Sequence, residues 1–141
     1  MAVGRHLKGT GKTYADSGAG KRLADSLAGS SSLEWIEQLP LSVMVCDRKY
    51  VTLYMNDRAA EDHAEDGGRA LVGKDLMACH PPEAQLKLRE VLASGRPNVY
   101  ITERKGKRKL VCQCQWKKRG RVGGVVQLVI ELPKDVPLHK R

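Results

Sequence analysis

The segment Gly124 to Leu132 carries apolar side chains on both of its alternating sets, with Val126, Leu128, Ile130 and Leu132 on one and Val125 and Val129 on the other. A strand of that composition belongs at the centre of a sheet, where neither face is fully open to water. Pro133 ends it. Two more strand-like runs stand just upstream, about Asn98 to Arg104 and Arg108 to Lys117. They are joined by Lys105-Gly106-Lys107 and followed by Arg119-Gly120-Arg121, both hairpin-like turns. In the second run Leu110, Cys112, Cys114 and Trp116 share one face by period-two alternation.

The first half of the ordered chain supplies two further strands and the helices. Leu33 to Leu39 has the spacing of a short amphipathic helix behind candidate serine caps, and Pro40 stops it. Leu41 to Asp47 and Tyr50 to Met55 read as a hairpin about the polar turn Asp47-Arg48-Lys49. Asn56-Asp57 can cap a short helix from Arg58 to Glu65, which Gly67-Gly68 ends. Pro81-Pro82 opens a helix from about Glu83 to Ser94, with Ala84, Leu88, Val91 and Leu92 on one face and Gly95 as its stop. The order predicts an α+β domain, a five-stranded antiparallel sheet with helices on one face.

Three segments follow from composition. Residues 1–32, rich in Gly, Ser, Ala and Lys, are expected to be a flexible basic segment, with a helical turn at most over Lys21 to Ala28. Residues 33–132 form the folded domain, and 133–141 a polar tail. No run approaches the roughly 20 apolar residues needed to cross a bilayer, and no apolar stretch follows Arg5, His6 and Lys8, so a cytosolic protein is expected. In that reducing compartment Cys46, Cys79, Cys112 and Cys114 should be thiols or ligands rather than disulfides.

The series of motifs resembles the PAS family. Leu39-Pro40 followed by an apolar strand ending in Asp47 looks like its opening. Tyr54-Met55-Asn56-Asp57 resembles the second strand with its Asn-led helix start, and Leu71-Val72-Gly73-Lys74 the step that follows. Cys79-His80-Pro81-Pro82 is similar to a PAS subgroup with that motif before the long helix. The resemblance implies a sensor or dimerisation module. It implies a cavity between the sheet and the helix at 83–94, for which Val43, Val45, Leu88, Leu92, Leu128 and Ile130 are the expected lining.

Three constellations could add chemistry. His80 could ligate haem iron, or Cys79 and His80 a metal, although Pro81-Pro82 equally pre-sets a helix start beside a packed histidine. Cys112 and Cys114, facing one way about 7 Å apart, could join Cys46 and Cys79 around an iron–sulfur cluster, but the spacing is not that of a C-x-x-C site. A single thiol could instead be a redox sensor if Lys109 or Lys117 lowered its pKa. The net charge of +9 is concentrated in residues 103–121, where Lys107, Lys109, Lys117, Lys118, Arg119 and Arg121 could contact phosphate beside Trp116, or simply solvate hairpin edges. Gly9-Thr10-Gly11-Lys12-Thr13 lacks the upstream glycine of a phosphate loop. Nothing assembles a nucleophile, base and orienting group, so no enzyme is expected. The reading is a ligand- or cofactor-binding sensory domain that signals through a homodimer, formed by Leu33 to Leu39, or through an effector protein. The alternatives are a small basic nucleic-acid-binding protein and a haem or iron–sulfur redox sensor.

Overall fold

The computed structural model describes residues 33–141. The expectations for 1–32, including the turn at Lys21 to Ala28, lie outside the described residues. The elements are α1 (Glu34–Glu37), β1 (Ser42–Asp47), β2 (Thr52–Met55), α2 (Asp57–Asp62), α3 (Pro82–Ser94), β3 (Asn98–Arg104), β4 (Lys107–Lys118) and β5 (Arg121–Leu132). Three single-turn 3-10 segments, Ala64–Asp66, Gly68–Leu71 and Leu76–Cys79, link α2 to α3.

The five strands form one antiparallel sheet in the order β2-β1-β5-β4-β3, so the strand with two apolar faces is central, as its composition requires. The two hairpins β3–β4 and β4–β5 close through two-residue turns, since Arg104 pairs with Lys107 and Lys118 with Arg121. Both central residues of each turn have positive φ, 51° and 75° at Lys105 and Gly106, 51° and 76° at Arg119 and Gly120. That twist matches the twist of the strands. The outer edge of β2 is covered by the chain at 73–76, through Thr52 N–H to Lys74 O, Gly73 N–H to Thr52 O and Leu76 N–H to Tyr50 O.

The long helix begins with Pro81 extended and Pro82 in its first turn, and Gly95 ends it in the left-handed region at φ 72°. Leu88 and Val91 turn inward and meet Cys46 of β1, Val125 of β5 and Met77. A second cluster joins Met44, Met55 and Ala59 under α2. These contacts identify the helix-covered face of the sheet. Cys46 pairs with Val125, and Val125 with Gln115. Met44 pairs with Gln127, and Gln127 with Gln113. All of them face the helices.

Around Asn56 the chain is tied together by side-chain bonds. Asn56 Oδ1 accepts from Val43 N–H and Ala59 N–H, both at 3.0 Å, and Nδ2 donates to Ile36 O and Leu41 O, both at 2.9 Å. The expected cap of α2 is thus also the clamp between α1, β1 and β2. Beside it the Tyr54 hydroxyl donates to Glu37, and Arg69 bridges Glu37 and Asp57 while donating to Met55 O at 2.7 Å. The first helix is shorter than the predicted Leu33 to Leu39. It keeps four residues, no side chain caps it, and Trp35 stands 65% exposed.

Candidate ligand cleft under the long helix

Side chains directly paired across strands share a face, so the register decides which residues look toward α3. Asn98 pairs with Gln113 and Gln113 with Gln127, all on the helix side. Their amides form a ladder across three strands. Asn98 Nδ2 donates to Gln113 Oε1 at 2.9 Å, and Gln113 Nε2 donates to Gln127 Oε1 at 2.8 Å. Gln113 is 4% exposed. Next along β4, Gln115 Nε2 donates to the Leu92 carbonyl at 2.7 Å and so satisfies one of the orphan acceptors at the end of α3.

Over the outer end of this ladder lies a cleft of about 400 Å³ between the start of α3 and β3–β4. His80, Glu83, Ala84, Lys87, Asn98, Tyr100 and Gln113 line it. Burial raises the Tyr100 phenol above its ordinary range, so it stays a neutral hydroxyl at physiological pH. His80 Nδ1 lies 2.7 Å from the Leu76 carbonyl, which only accepts, so Nδ1 is a donor and Nε2 is the ring nitrogen left for a ligand. Gln85 Nε2 holds this corner by donating to Met77 O and His80 O, both at 2.9 Å. The cleft therefore offers an imidazole, a phenol, an ammonium, a carboxylate and an amide array within a volume suited to a small molecule.

The sequence-based lining is split by the register. Val43 pairs with Leu128 and Val45 with Val126, one residue out of phase with Met44 and Cys46. Ile130 pairs with Leu110 on the same outer face. Val43, Val45, Leu128 and Ile130 therefore point away from α3. Leu88 is buried beneath the helix at 1% exposure, and Leu92 packs beside the same cluster. Residues 43–46 are apolar throughout, so their composition does not reveal which pair faces inward.

The cysteines do not converge. Cys46 is buried on the helix face, Cys79 is exposed, and Cys112 and Cys114 lie on the outer face opposite Leu128 and Val126. Among the described residues no three His, Cys, Asp or Glu side chains are placed to hold a metal. These thiols do not fit an iron–sulfur cluster, because the sheet separates Cys46 from Cys112 and Cys114. Haem fits no better. His80 offers one axial nitrogen, but the facing wall is an amide ladder and Lys87 rather than a flat apolar slot.

Activation of a thiol by Lys109 or Lys117 is also not what the structure contains. Lys109 pairs with Asp62 at 3.3 Å, and burial followed by the Cys112 thiol pushes Cys114 up. Cys46 is raised from 9.0 to about 11, chiefly by burial. Its neutral thiol therefore contributes stability below pH 9 that is lost as pH rises through about 11. In iodoacetamide labelling at pH 8, followed by peptide mass spectrometry, Cys79 is expected to react first and Cys46 only as fast as the domain unfolds. Early modification of Cys46 would contradict its placement.

The basic stretch is likewise divided. Lys109 and Lys117 are eight residues apart along one strand, about 26 Å. At one end Lys107 and Lys109 meet Glu131 and Asp62. At the other, Lys117, Lys118, Arg119 and Arg121 make no ion pair among the described residues.

No family model and no curated protein matches the sequence. Solved structures do. A C-terminal domain from Streptococcus mutans matches with a TM-score of 0.58 at 21% identity, over 71% of this chain and 81% of that one. VqmA from Vibrio cholerae, solved with ligand and DNA, matches at 0.57 and 18%, over 72% of this chain and 50% of its own. The chain thus spans about half the length of VqmA. The Aer2 receptor of Vibrio cholerae, described as a dual PAS-haem oxygen sensor, matches at 0.55 and 13%, over 70% of this chain and 99% of that one. With the β2-β1-β5-β4-β3 sheet and the helices on one face, these likenesses define the class: the chain has the PAS fold.

Proposed function

We propose that this chain is a PAS-type sensory domain that binds a small polar molecule in the cleft under α3 and reports its presence by changing its association with a second copy or an effector protein. The observation that carries the reading is the Asn98–Gln113–Gln127 ladder beside His80 Nε2. Three amides lined up on a face that could have been aliphatic supply directional recognition in place of general apolar capture. The ladder keeps Asn98 Oδ1 and Gln127 Nε2 without partners among the described residues, an acceptor at one end and a donor at the other.

The fold relatives support a sensory role. VqmA is described as bound to DPO, and a sensor histidine kinase from Vibrio cholerae shares the fold. The domain acts without catalysis of its own, in the cytosol. Among the described residues no helix is long and apolar enough to cross a membrane. Association runs through α1, where Trp35 is exposed, and through the outer sheet face, on which Val99, Ile101 and Ile130 are 55%, 50% and 41% exposed.

Gln113→Leu tests the site. Asn98 and Gln127 are only partly buried and can turn to water, so the variant should fold with a stability change of about 1 kcal/mol. A small-molecule fraction of cell extract is expected to raise the melting temperature of the native chain by about 5 °C or more, and that of Gln113→Leu hardly at all. Equal shifts in both would remove the ladder from the binding site.

A further inference from the structure

A second cleft, of about 600 Å³, opens at the other end of β4, where β1 turns and the β4–β5 hairpin begins. Asp47, Arg48, Trp116, Lys118 and Arg121 are among its walls, and it shares no lining residue with the cleft under α3. Asp47 is 6% exposed. Its Oδ1 accepts from Lys49 N–H at 2.8 Å and Val51 N–H at 3.0 Å, which shapes the turn. Its Oδ2 is buried with no hydrogen-bond partner. An ionised carboxylate only accepts, so what this oxygen lacks is a donor.

Trp116 is held in place beside it. The indole N–H donates to Cys46 O at 2.8 Å, and the six-membered ring lies so close over Gly123 that a Cβ there would come within 2.2 Å of Cζ3. Such a fixed ring is a stacking surface for a flat heterocycle. Arg48, Lys118 and Arg121 are exposed and make no ion pair among the described residues, in contrast to Lys107 and Lys109 at the far end of the strand.

An acceptor awaiting an N–H, a fixed aromatic plane and unneutralised cations together describe a nucleotide. Among the common bases, guanine places two donors, N1–H and the N2 amine, side by side. The corresponding edges of adenine and cytosine set an acceptor beside the donor, where it would face the carboxylate. We propose that this cleft binds a guanine nucleotide, with its N1–H and N2 edge on Asp47 Oδ2, its ring against Trp116, and its phosphate on Lys118 and Arg121.

Isothermal titration of the full chain with GMP, guanosine, IMP and AMP tests this. One GMP site is expected, with IMP and AMP progressively weaker and guanosine weaker by about tenfold or more, the equivalent of one charge-assisted contact. Asp47→Asn keeps Oδ1 for the two backbone donors but puts an NH2 where the free acceptor stood. It should weaken GMP by about tenfold or more, with circular dichroism checking the fold. Arg121→Gln changes only an exposed side chain and should bring GMP part of the way toward the affinity of guanosine, and Lys118→Gln together with Arg121→Gln should bring it the whole way. Absence of GMP binding at millimolar concentration would overturn the proposal, as would binding that none of these variants alters. An affinity that climbs with length from GMP to guanine-rich single strands would also overturn it, in favour of nucleic acid.

Discussion

Asn56→Ala is expected to lower the stability of the domain by about 3–5 kcal/mol, a large part of the total for a domain of this size. Asn56 is fully buried and makes four hydrogen bonds that alanine cannot replace. The loss frees the amides of Val43 and Ala59 and the carbonyls of Ile36 and Leu41. The Ala59 bond is the cap of α2, worth about 1 kcal/mol. The others fasten α1 and the start of β1 to the end of β2. Chemical denaturation should show the midpoint fall with the whole transition, because the clamp joins elements far apart in sequence. Asn56→Ser, which restores a capping oxygen, should recover about 1 kcal/mol of the loss. A destabilisation of Asn56→Ala below about 1 kcal/mol would mean the clamp is not formed.

Gly124→Ala is the second severe change. Gly124 pairs with Asp47 on one side and Trp116 on the other, at the centre of the sheet. A Cβ there would stand 2.0 Å from the Cys46 carbonyl oxygen and 2.7 Å from the Asp47 carbonyl carbon, both of them backbone atoms. Backbone does not yield as a side chain does, so β1 would have to separate from β5, at about 3 kcal/mol or more. Gly123→Ala meets the Trp116 ring instead, which can swing aside if its bond to Cys46 O is given up. Gly123→Ala should therefore be the milder variant in thermal melts, with altered Trp fluorescence, while Gly124→Ala expresses poorly or melts far lower. The reverse ranking would contradict the close approach of β1 to β5.

Both changes fall where sequence pattern carried part of the information. The cap at Asn56 was legible from an Asn-Asp pair ahead of a helical stretch, but its two donor bonds reach back 15 and 20 residues and need the fold to exist. The long helix was legible almost to the residue, because Pro81-Pro82 and Gly95 mark its ends chemically. The cleft was not. In β4 the apolar set Leu110, Cys112, Cys114 and Trp116 alternates with Val111, Gln113 and Gln115. Hydrophobicity alone assigns the first set to the helix, yet the glutamines face it, because two of them form the ladder and cap α3. A polar residue on a covered face was the available signal, and it mimics a solvent-facing one. His80 was marked in the sequence as a candidate haem or metal ligand; that it lines this cleft, held by the Leu76 carbonyl four residues earlier, follows only from the fold. The basic run looked continuous in sequence because a strand reverses nothing within itself; extended, it separates its own ends.

Mass spectrometry of the purified chain under non-denaturing conditions is the sharpest probe of ligand binding under α3, since a ligand held by the amide ladder should survive gentle transfer. A discrete small-molecule mass is expected on the folded protein after incubation with the small-molecule fraction of cell extract, lost on denaturation and absent from Gln113→Leu. The bare chain mass alone under both conditions, or the same adduct retained by Gln113→Leu, would contradict it.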